Sequence, residues 1–328
     1  MSRFAAECVL PLRWHADHDL DDLTRYLAEL SLLVDVTVVD SSPPALFDRH
    51  HAAWGQTVRH LPPAPWPGRN GKVRNVMTGV RAARHERIII ADDDVRYETK
   101  ALAEGLDLLE DADLIVPQNV FTAWPWHARW DTARQLINRA LGGDYPGTVL
   151  IRRDMLADRG YHGDVLFENL QLMRTVTARS GVIGRARGLY VGRRPPTTRH
   201  FLSQRIRQAY DDFAQPARLA VEAALLPAVV LACRAAGNGR ALAMIALPAI
   251  ATAEAGRRRA GGKAVFPPTS PMWAPCWLAE RAICVWLAIG YRLTGGIRYG
   301  DGRIWDATTS PHSAAIADEP LDDTKKEK

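Results

Sequence analysis

Cysteine is scarce in this chain: four residues in 328, Cys8, Cys233, Cys276 and Cys284, with no C-x-x-C pair and no histidine companions of the kind a zinc module needs. This excludes a disulfide-built scaffold and a cysteine-based zinc fold, and the four read as reduced core residues. A long apolar run at the start is also missing. The opening MSRFAAECVLPLRWH has one early arginine and too short an apolar stretch for a signal peptide, which places the first domain on the cytoplasmic side. No clean apolar run of the ~20 residues that span a bilayer occurs anywhere. Charge of one sign is in modest excess, net +5 with a pI near 9.1. That balance suits nucleic acid, anionic lipid or a polyanionic nucleotide equally, so it narrows only the partner's sign. What is present is ample apolar content, 47% against 24% charged, enough for a sizeable core in one large domain or two smaller ones.

The most informative stretch is 70–97, NGKVRNVMTGVRAARHERIIIADDDVRY. A glycine-containing turn leads into Val73, Val76, Met77 and Val80 at helical spacing, then Ile88, Ile89, Ile90 and Ala91 run into three aspartates. This predicts helix, buried strand, carboxylate cluster. A continuous apolar run of that length suits a strand covered on both faces, and ligands of parallel sheets gather beyond the strands' carboxyl ends. Alternation along a strand end points Asp92 and Asp94 to one side and Asp93 away, so the outer pair can converge on a hard cation such as Mg2+ or Mn2+. The plain alternative is a solvated acidic turn.

Upstream, the apolar run 8–12, a helical face of Leu20, Leu23, Leu27 and Leu30, and the strand VTVVD at 36–40 open a doubly wound α/β domain. The proline-rich LPPAPWPGR at 61–69 reads as a surface loop. Downstream, 101–109 reads as a helix and 114–117 as another strand. Trp124, Trp126 and Trp130, with Pro125 and His127 among them, are either core packing or an aromatic cover for a sugar or lipid acceptor.

Lys72-Val73-Arg74-Asn75-Val76-Met77 and Ile90-Ala91-Asp92-Asp93-Asp94-Val95 resemble the K-x-x-N-L-M and S-D-S-D-[IV] blocks of family-2 glycosyltransferases, in particular the branch related to ceramide glucosyltransferase. The resemblance implies a GT-A fold, a nucleotide-sugar donor, a divalent metal and inversion at the anomeric carbon. Asp40, ending the second strand, then contacts the donor's uracil or ribose, although a turn cap is an equally ordinary role for it. Lys72 near a helix start faces the donor diphosphate, or is simply solvated. Asp92 binds donor and metal, and Asp94 binds metal.

Gly147 and the strand ending in Arg152-Arg153 resemble the family's border of the acceptor pocket. The segment GDVLFENLQLMRTVTARSG at 163–181 resembles its acidic block, but Glu168-Asn169 stands where the family has Glu-Asp, whose aspartate is the general base. Asparagine cannot take that proton, so the resemblance leaves Glu168, then Asp164, as catalytic base. Glu168 is otherwise an ordinary first-turn carboxylate. Gln204 and Arg207 resemble the Q-x-x-R-W motif that meets the leaving diphosphate; Gln208 replaces the tryptophan, and Tyr210 is the candidate substitute on the acceptor side.

From Arg218 on the composition changes. Apolar stretches at 223–233, 241–253 and 276–293 alternate with arginine clusters, interrupted or bordered by Glu222, Arg234, Glu280 and Arg281, with Pro227 and Pro248 inside. Two short helices joined at 235–239 would pair as a hairpin, spanning if flanks are recruited or dipping into one leaflet. Arg257 to Arg259 fit cytoplasmic retention, and Trp273, Trp277 and Trp286 the headgroup zone. The resembling branch carries membrane helices here, glycosylates lipids and ends in a [RG]-G-x-x-Y block like Gly295-Gly296-Ile297-Arg298-Tyr299.

The expected organisation is a GT-A catalytic domain at 1–215, an apolar, membrane-associated helical region at 216–305 and a polar disordered tail at 306–328. The expected partners are a nucleotide-sugar donor and a lipid or membrane-borne acceptor, with no nucleic acid, at the cytoplasmic membrane with the catalytic domain facing the cytoplasm. A D-x-D phosphatase, a nucleotidyltransferase and a scaffold with a decayed transferase domain are the rivals. Arg96 and the mid-chain position of the motif count against the first, a missing glycine-rich lysine loop against the second, and Asn169 and Gln208 keep the third.

Overall fold

The computed structural model describes residues 3–300 and 302–309. The chain runs β1 (Glu7–Leu12), α1 (Leu20–Ser31), β2 (Asp35–Asp40), α2 (Pro44–Trp54), β3 (Arg59–Leu61), α3 (Gly71–Ala82), β4 (Arg87–Ala91), β5 (Val95–Arg96), α4 (Thr99–Leu108), β6 (Leu114–Phe121), α5 (Trp126–Leu141), β7 (Thr148–Arg152), α6 (Glu168–Ala178) and β8 (Ile183–Arg193). Then come α7 (Thr198–Ser203), α8 (Arg205–Tyr210), α9 (Pro216–Ala236), α10 (Asn238–Arg258), α11 (Ala274–Leu293), β9 (Ile297–Tyr299) and β10 (Gly302–Ile304).

Eight strands form one sheet in the order β3-β2-β1-β4-β7-β6-β8-β5. β3, β2, β1 and β4 are mutually parallel; β7 runs antiparallel to both β4 and β6, and β8 returns parallel to β6. Alternation divides each central strand between two cores. Cys8, Leu10 and Ile89 pack with Leu23, Leu27 and Leu102 on one face, while Val9, Ile88 and Ile90 pack with Val73, Val76 and Met173 on the other. Helices on both faces explain why β4 is an unbroken apolar run. Leu12, Asp40, Ala91, Thr148 and Arg193 all fall at one edge of the sheet.

Asn70 starts α3: its side chain accepts from the backbone N–H of Lys72 and Val73. Inside α3, Asn75 Nδ2 reaches Leu12 O at 2.9 Å, Val39 O at 3.1 Å and Ser41 Oγ at 3.0 Å, tying two strand ends to the helix. Asn75, part of the resembling motif, therefore has a structural task.

The helical region differs from expectation in length. α9 continues through Pro227, and α9 and the 24-residue stretch Ser270–Leu293 are long and apolar enough to cross a membrane, by length and composition only, with mean hydropathies of 1.8 and 1.3. A proline forfeits one helical hydrogen bond without necessarily ending the helix, which is why the stretches looked shorter in sequence. α10 lies against α5 at Gly256, where a Cβ would fall 1.9 Å from Leu136 O, so only glycine permits the approach. Buried Arg139 binds the end of α10, donating to Gly256 O at 3.1 Å and Arg259 O at 2.6 Å.

Cys8 and Cys284 are buried; Cys233 and Cys276 are half-buried. The expected tail begins at Asp306, yet the carbonyls of Asp306 and Ala307 accept from Leu166 N and Phe167 N at 3.0 and 2.9 Å, and Thr309 binds Gln171. These residues thus brace the start of α6; 310–328 lie outside the described residues.

Candidate active site

The carboxyl edge of the sheet opens into a cavity of about 590 Å3, lined among others by Leu12, Ser41, Lys72, the three aspartates, Gly147, Glu168, Arg193, Gln204, Arg207 and Tyr299. Strand geometry stops at Ala91, so Asp92, Asp93 and Asp94 occupy a turn and strand alternation no longer applies. This corrects the expectation that Asp93 points away: all three line the cavity.

Each aspartate has its own partner. Asp92 Oδ1 lies 2.6 Å from Lys72 Nζ, Asp93 Oδ2 accepts from Trp14 Nε1 at 2.5 Å, and Asp94 Oδ2 accepts from Arg193 Nε at 2.7 Å. Burial, then the charge of Asp94, pushes the Asp93 carboxyl up to about 6. The second oxygen of Asp94, Oδ1, is buried with no hydrogen-bond partner. An orphaned carboxylate oxygen beside a second carboxylate in a polar cavity is a donor set that suits a hard divalent cation.

Gly147 is fixed by the same turn. It donates from N to Asn119 Oδ1 at 2.8 Å and accepts from Asp92 N at 2.9 Å. A Cβ there would lie 2.7 Å from Asp92 Oδ2, so the glycine makes room for the carboxylate itself.

Lys72 Nζ also lies 2.7 Å from Glu168 Oε1. Burial alone would lower the lysine's pKa, but Asp92 and Glu168 outweigh it and raise it, so Lys72 is a fixed cation between two carboxylates. Glu168 is buried as the first residue of α6. Asn169 donates to Pro146 O at 3.1 Å.

Gln204 sits at the junction of α7 and α8 with helical backbone angles, and Arg207 follows within α8, so both reach the cavity. The Arg207 guanidinium lies 5.1 Å from the centroid of the Tyr299 ring, whose hydroxyl lies 3.0 Å from Asn70 Oδ1. The C-terminal hairpin thereby closes one side of the site against the start of α3.

Five expected site residues lie elsewhere. Asp164 is on an exposed loop, accepting from Arg69 N at 3.0 Å, and does not line the cavity; an extended turn between Gly163 and Val165 carries it outward, leaving Glu168 as the cavity carboxylate of that block. Trp124 packs with Phe121 in the α5 core and Trp126 is partly exposed beside Trp130 and Phe201, because Pro125 turns the chain into α5 away from the aspartates. Tyr210 is fully buried with its hydroxyl donating to Trp305 O at 2.6 Å, so it supplies no cavity surface. Asp40 is buried among His50 and His60, behind the wall that Ser41 presents. Sequence reading missed Arg193, Asp211 and Trp14. Arg193 and Asp211 line the cavity, and Trp14 donates to Asp93 from the loop after β1, far from the aspartates in sequence.

Residues 35–160 match the profile of the family described as Glycosyl transferase family 2, a span that holds Asp40, Lys72, the aspartates and Gly147 but ends before Glu168, Gln204 and Arg207. No curated protein sequence matches the chain. Among solved structures, the mannosyltransferase PcManGT from Pyrobaculum calidifontis, in complex with GDP-Man and Mn2+, is similar at 17% identity over 87% of this chain and 88% of that one, with a TM-score of 0.50. A glucosyl-3-phosphoglycerate synthase from Mycobacterium tuberculosis, in complex with Mn2+, UDP and glucosyl-3-phosphoglycerate, is similar at 15% identity over 60% of this chain and 74% of that one, with a TM-score of 0.43. At such identities the likeness is one of fold: a GT-A arrangement of mostly parallel sheet and flanking helices.

Proposed function

We propose that this chain is a metal-dependent, inverting glycosyltransferase of the ceramide-glucosyltransferase-like kind, which moves a sugar from a nucleotide-diphosphate donor to a lipid or other membrane-borne hydroxyl at the cytoplasmic membrane face. The observation that carries the reading is the meeting of Asp92, Asp94, Lys72, Glu168 and Arg207 in one cavity at the carboxyl edge of the sheet. The family match over 35–160 and the GDP-Man and Mn2+ held by the similar mannosyltransferase support it.

Asp92 and Asp94 would hold Mg2+ or Mn2+, which when bound supplies positive charge against the donor diphosphate. Lys72 and Arg207 add fixed cations to the same side, and Gln204 offers an amide for orientation. Glu168 is the base: as the acceptor oxygen bonds to the anomeric carbon, its proton passes to a Glu168 carboxylate oxygen. The bond from that carbon to the diphosphate oxygen breaks with its electron pair on the diphosphate. Lys72 Nζ, 2.7 Å from Glu168 Oε1, fixes that carboxylate's position in the cavity.

Membrane attachment rests on the helical region. Val221, Leu226 and Leu231 of α9 and Leu242, Met244 and Leu247 of α10 are exposed together with Trp286 and Leu287 of α11. Such a concentration of large apolar side chains marks a surface that meets something other than water.

Detergent-solubilised protein incubated with labelled nucleotide sugars and Mn2+, with and without a lipid extract, tests the reading. Sugar transfer that needs the lipid fraction and disappears in Asp94→Ala supports it; phosphate release from simple monoesters, or no turnover of any nucleotide sugar, defeats it.

A further inference from the structure

Behind the cavity wall, three elements bring together a histidine-rich cluster that plays no part in the reading above. Asp40 ends β2, His50 lies in α2 and His60 in β3, and all three side chains are fully buried. His50 Nδ1 is 2.5 Å and His60 Nε2 3.2 Å from the same oxygen, Asp40 Oδ2. One ligand atom from each residue lies within 4.8 Å of the other two, and this is the one such trio of His, Cys, Asp or Glu among the described residues.

We propose that Asp40, His50 and His60 bind a zinc-class divalent ion as a structural site, separate from the aspartates of the cavity. Proton counting at His50 is the first argument. A neutral imidazole has one N–H, yet His50 turns both ring nitrogens to carboxylates, Nδ1 to Asp40 and Nε2 to Asp17 Oδ1 at 3.0 Å. A metal ion in place of the Nδ1 proton would satisfy both contacts, as would a second ring proton, and metal content tells the two apart. With a metal on Nδ1, the remaining N–H donates to Asp17, the carboxylate–histidine–metal relay that orients ligating imidazoles.

The other ligands are held in the same manner. His60 presents Nε2 to the shared oxygen while Nδ1 lies 3.3 Å from His51 Nδ1, so the tautomer that ligates through Nε2 has a partner for its N–H. Asp40 Oδ1 accepts from Ser42 N at 2.8 Å. Aromatic rings fix both imidazoles: Trp54 stacks on His50 at 4.7 Å and Phe47 on His60 at 4.3 Å. Bonds near 2.0–2.1 Å set tetrahedral ligands about 3.3 Å apart, so an ion is admitted by sub-ångström to ångström shifts of His50 from Asp40. Two imidazoles and one carboxylate select a borderline ion such as Zn2+ over Mg2+.

The site would clamp β2, α2 and β3 directly behind Ser41, which lines the cavity, and Ser42, whose Oγ accepts from Trp14 N at 2.8 Å. Metal content is the test. Full-length protein made without a histidine tag in zinc-containing medium is dialysed and its metals are measured by mass spectrometry; the zinc is then replaced by Co2+ and the visible spectrum recorded. Near-stoichiometric zinc, a tetrahedral cobalt spectrum and a lower Tm after chelation are expected. His60→Gln should abolish metal and spectrum, Asp17→Asn should weaken zinc affinity ~10–100-fold with the fold kept, and Asp94→Ala should retain the zinc. If His60→Gln does not fold, Asp17→Asn decides alone. Cooperatively melting wild-type protein without transition metal or cobalt spectrum overturns the site, as does zinc that is lost in Asp94→Ala but retained in His60→Gln. Neither result depends on whether sugar transfer is observed.

Discussion

The α/β half and the helical half obey opposite rules of burial. In the sheet region the interior is mostly apolar, with polar exceptions such as Glu7 and the Asp40 cluster, and the cavity gathers the aspartates and arginines. In α9 the sole buried residue is Glu222, while Val221 and Leu231 are about two-thirds exposed. The interior of the helical half is ionic: Arg281, 1% exposed, lies 3.0 Å from Asp212 Oδ2, and Arg218 Nε lies 3.0 Å from Asp212 Oδ1 and 2.9 Å from Glu222 Oε1. Charges turned inward and apolar side chains turned outward are what a hydrocarbon solvent demands. On the proposed reading one half is arranged for water and chemistry and the other for lipid; Asp212, Arg218 and Arg281, from the helical half, line the cavity together with the aspartates.

The largest effects should come from severing the two halves' tasks. Asp94→Ala should cut sugar transfer roughly 10^3-fold by removing charge stabilisation of the departing diphosphate, while co-sedimentation with lipid vesicles stays unchanged. Loss of both activities together would mean that the halves are not separable. Glu168→Gln should lower kcat about 10^2-fold with the donor KM little altered, and Asp164→Asn should resemble wild type in the same assay. An Asp164→Asn defect equal to that of Glu168→Gln would shift the base to the exposed loop.

A smaller effect tests the lipid-facing half. Leu231→Glu combined with Met244→Glu should weaken vesicle binding at least ~10-fold, because each charge costs a few kcal/mol in hydrocarbon, and should leave transfer to a water-soluble acceptor in detergent near wild type. Unchanged vesicle binding would remove lipid as the outer solvent. Within the ionic cluster, Arg281→Leu leaves Asp212 and Glu222 to Arg218 and should destabilise the protein by up to about 3–5 kcal/mol, read as a lowered Tm in detergent.

Legibility followed sequence distance. α3, β4 and the aspartate turn are contiguous, and local periodicity was enough to predict helix, strand and carboxylate cluster in that order; the Lys72–Asp92 contact emerges only in the fold. Asp93 was misdirected because strand alternation was extended past Ala91 into a turn. The hydrogen-bond partners of Asp93 and Asp94, Trp14 and Arg193, lie 79 and 99 residues away and carry no local signature. The histidines around Asp40 likewise look like scattered helix and strand residues until β2, α2 and β3 fold together. The tryptophans misled for the converse reason: an aromatic cluster is conspicuous in sequence whether or not it faces a ligand, and here Trp124 and Trp130 pack against a core while Trp126 is partly exposed. Pro227 lies inside α9, which continues through it because a proline forfeits one hydrogen bond without having to end a helix.

Asp211 offers the finest test of how the two halves share the cavity. It follows α8, lines the cavity, and has Oδ1 buried without a partner. Burial pushes its carboxyl from the ordinary 3.8 up to about 8; Arg207 opposes this, and Asp212 and Glu168 add to it. Because the folded value lies above the unfolded one, the folded chain keeps a proton between those limits that the unfolded chain has released. Stability from this group is therefore complete below about 4 and is lost as pH rises through about 8. Asp211→Asn, which mimics the protonated state, should melt with wild type at the acid end and progressively above it as pH approaches and passes 8. Its donor KM should likewise stay flat where that of wild type climbs, since an ionised Asp211 next to Glu168 repels a diphosphate. Parallel melting curves across the range would show that Asp211 is ionised throughout, and that the cavity takes its negative charge from both halves rather than from the sheet edge alone.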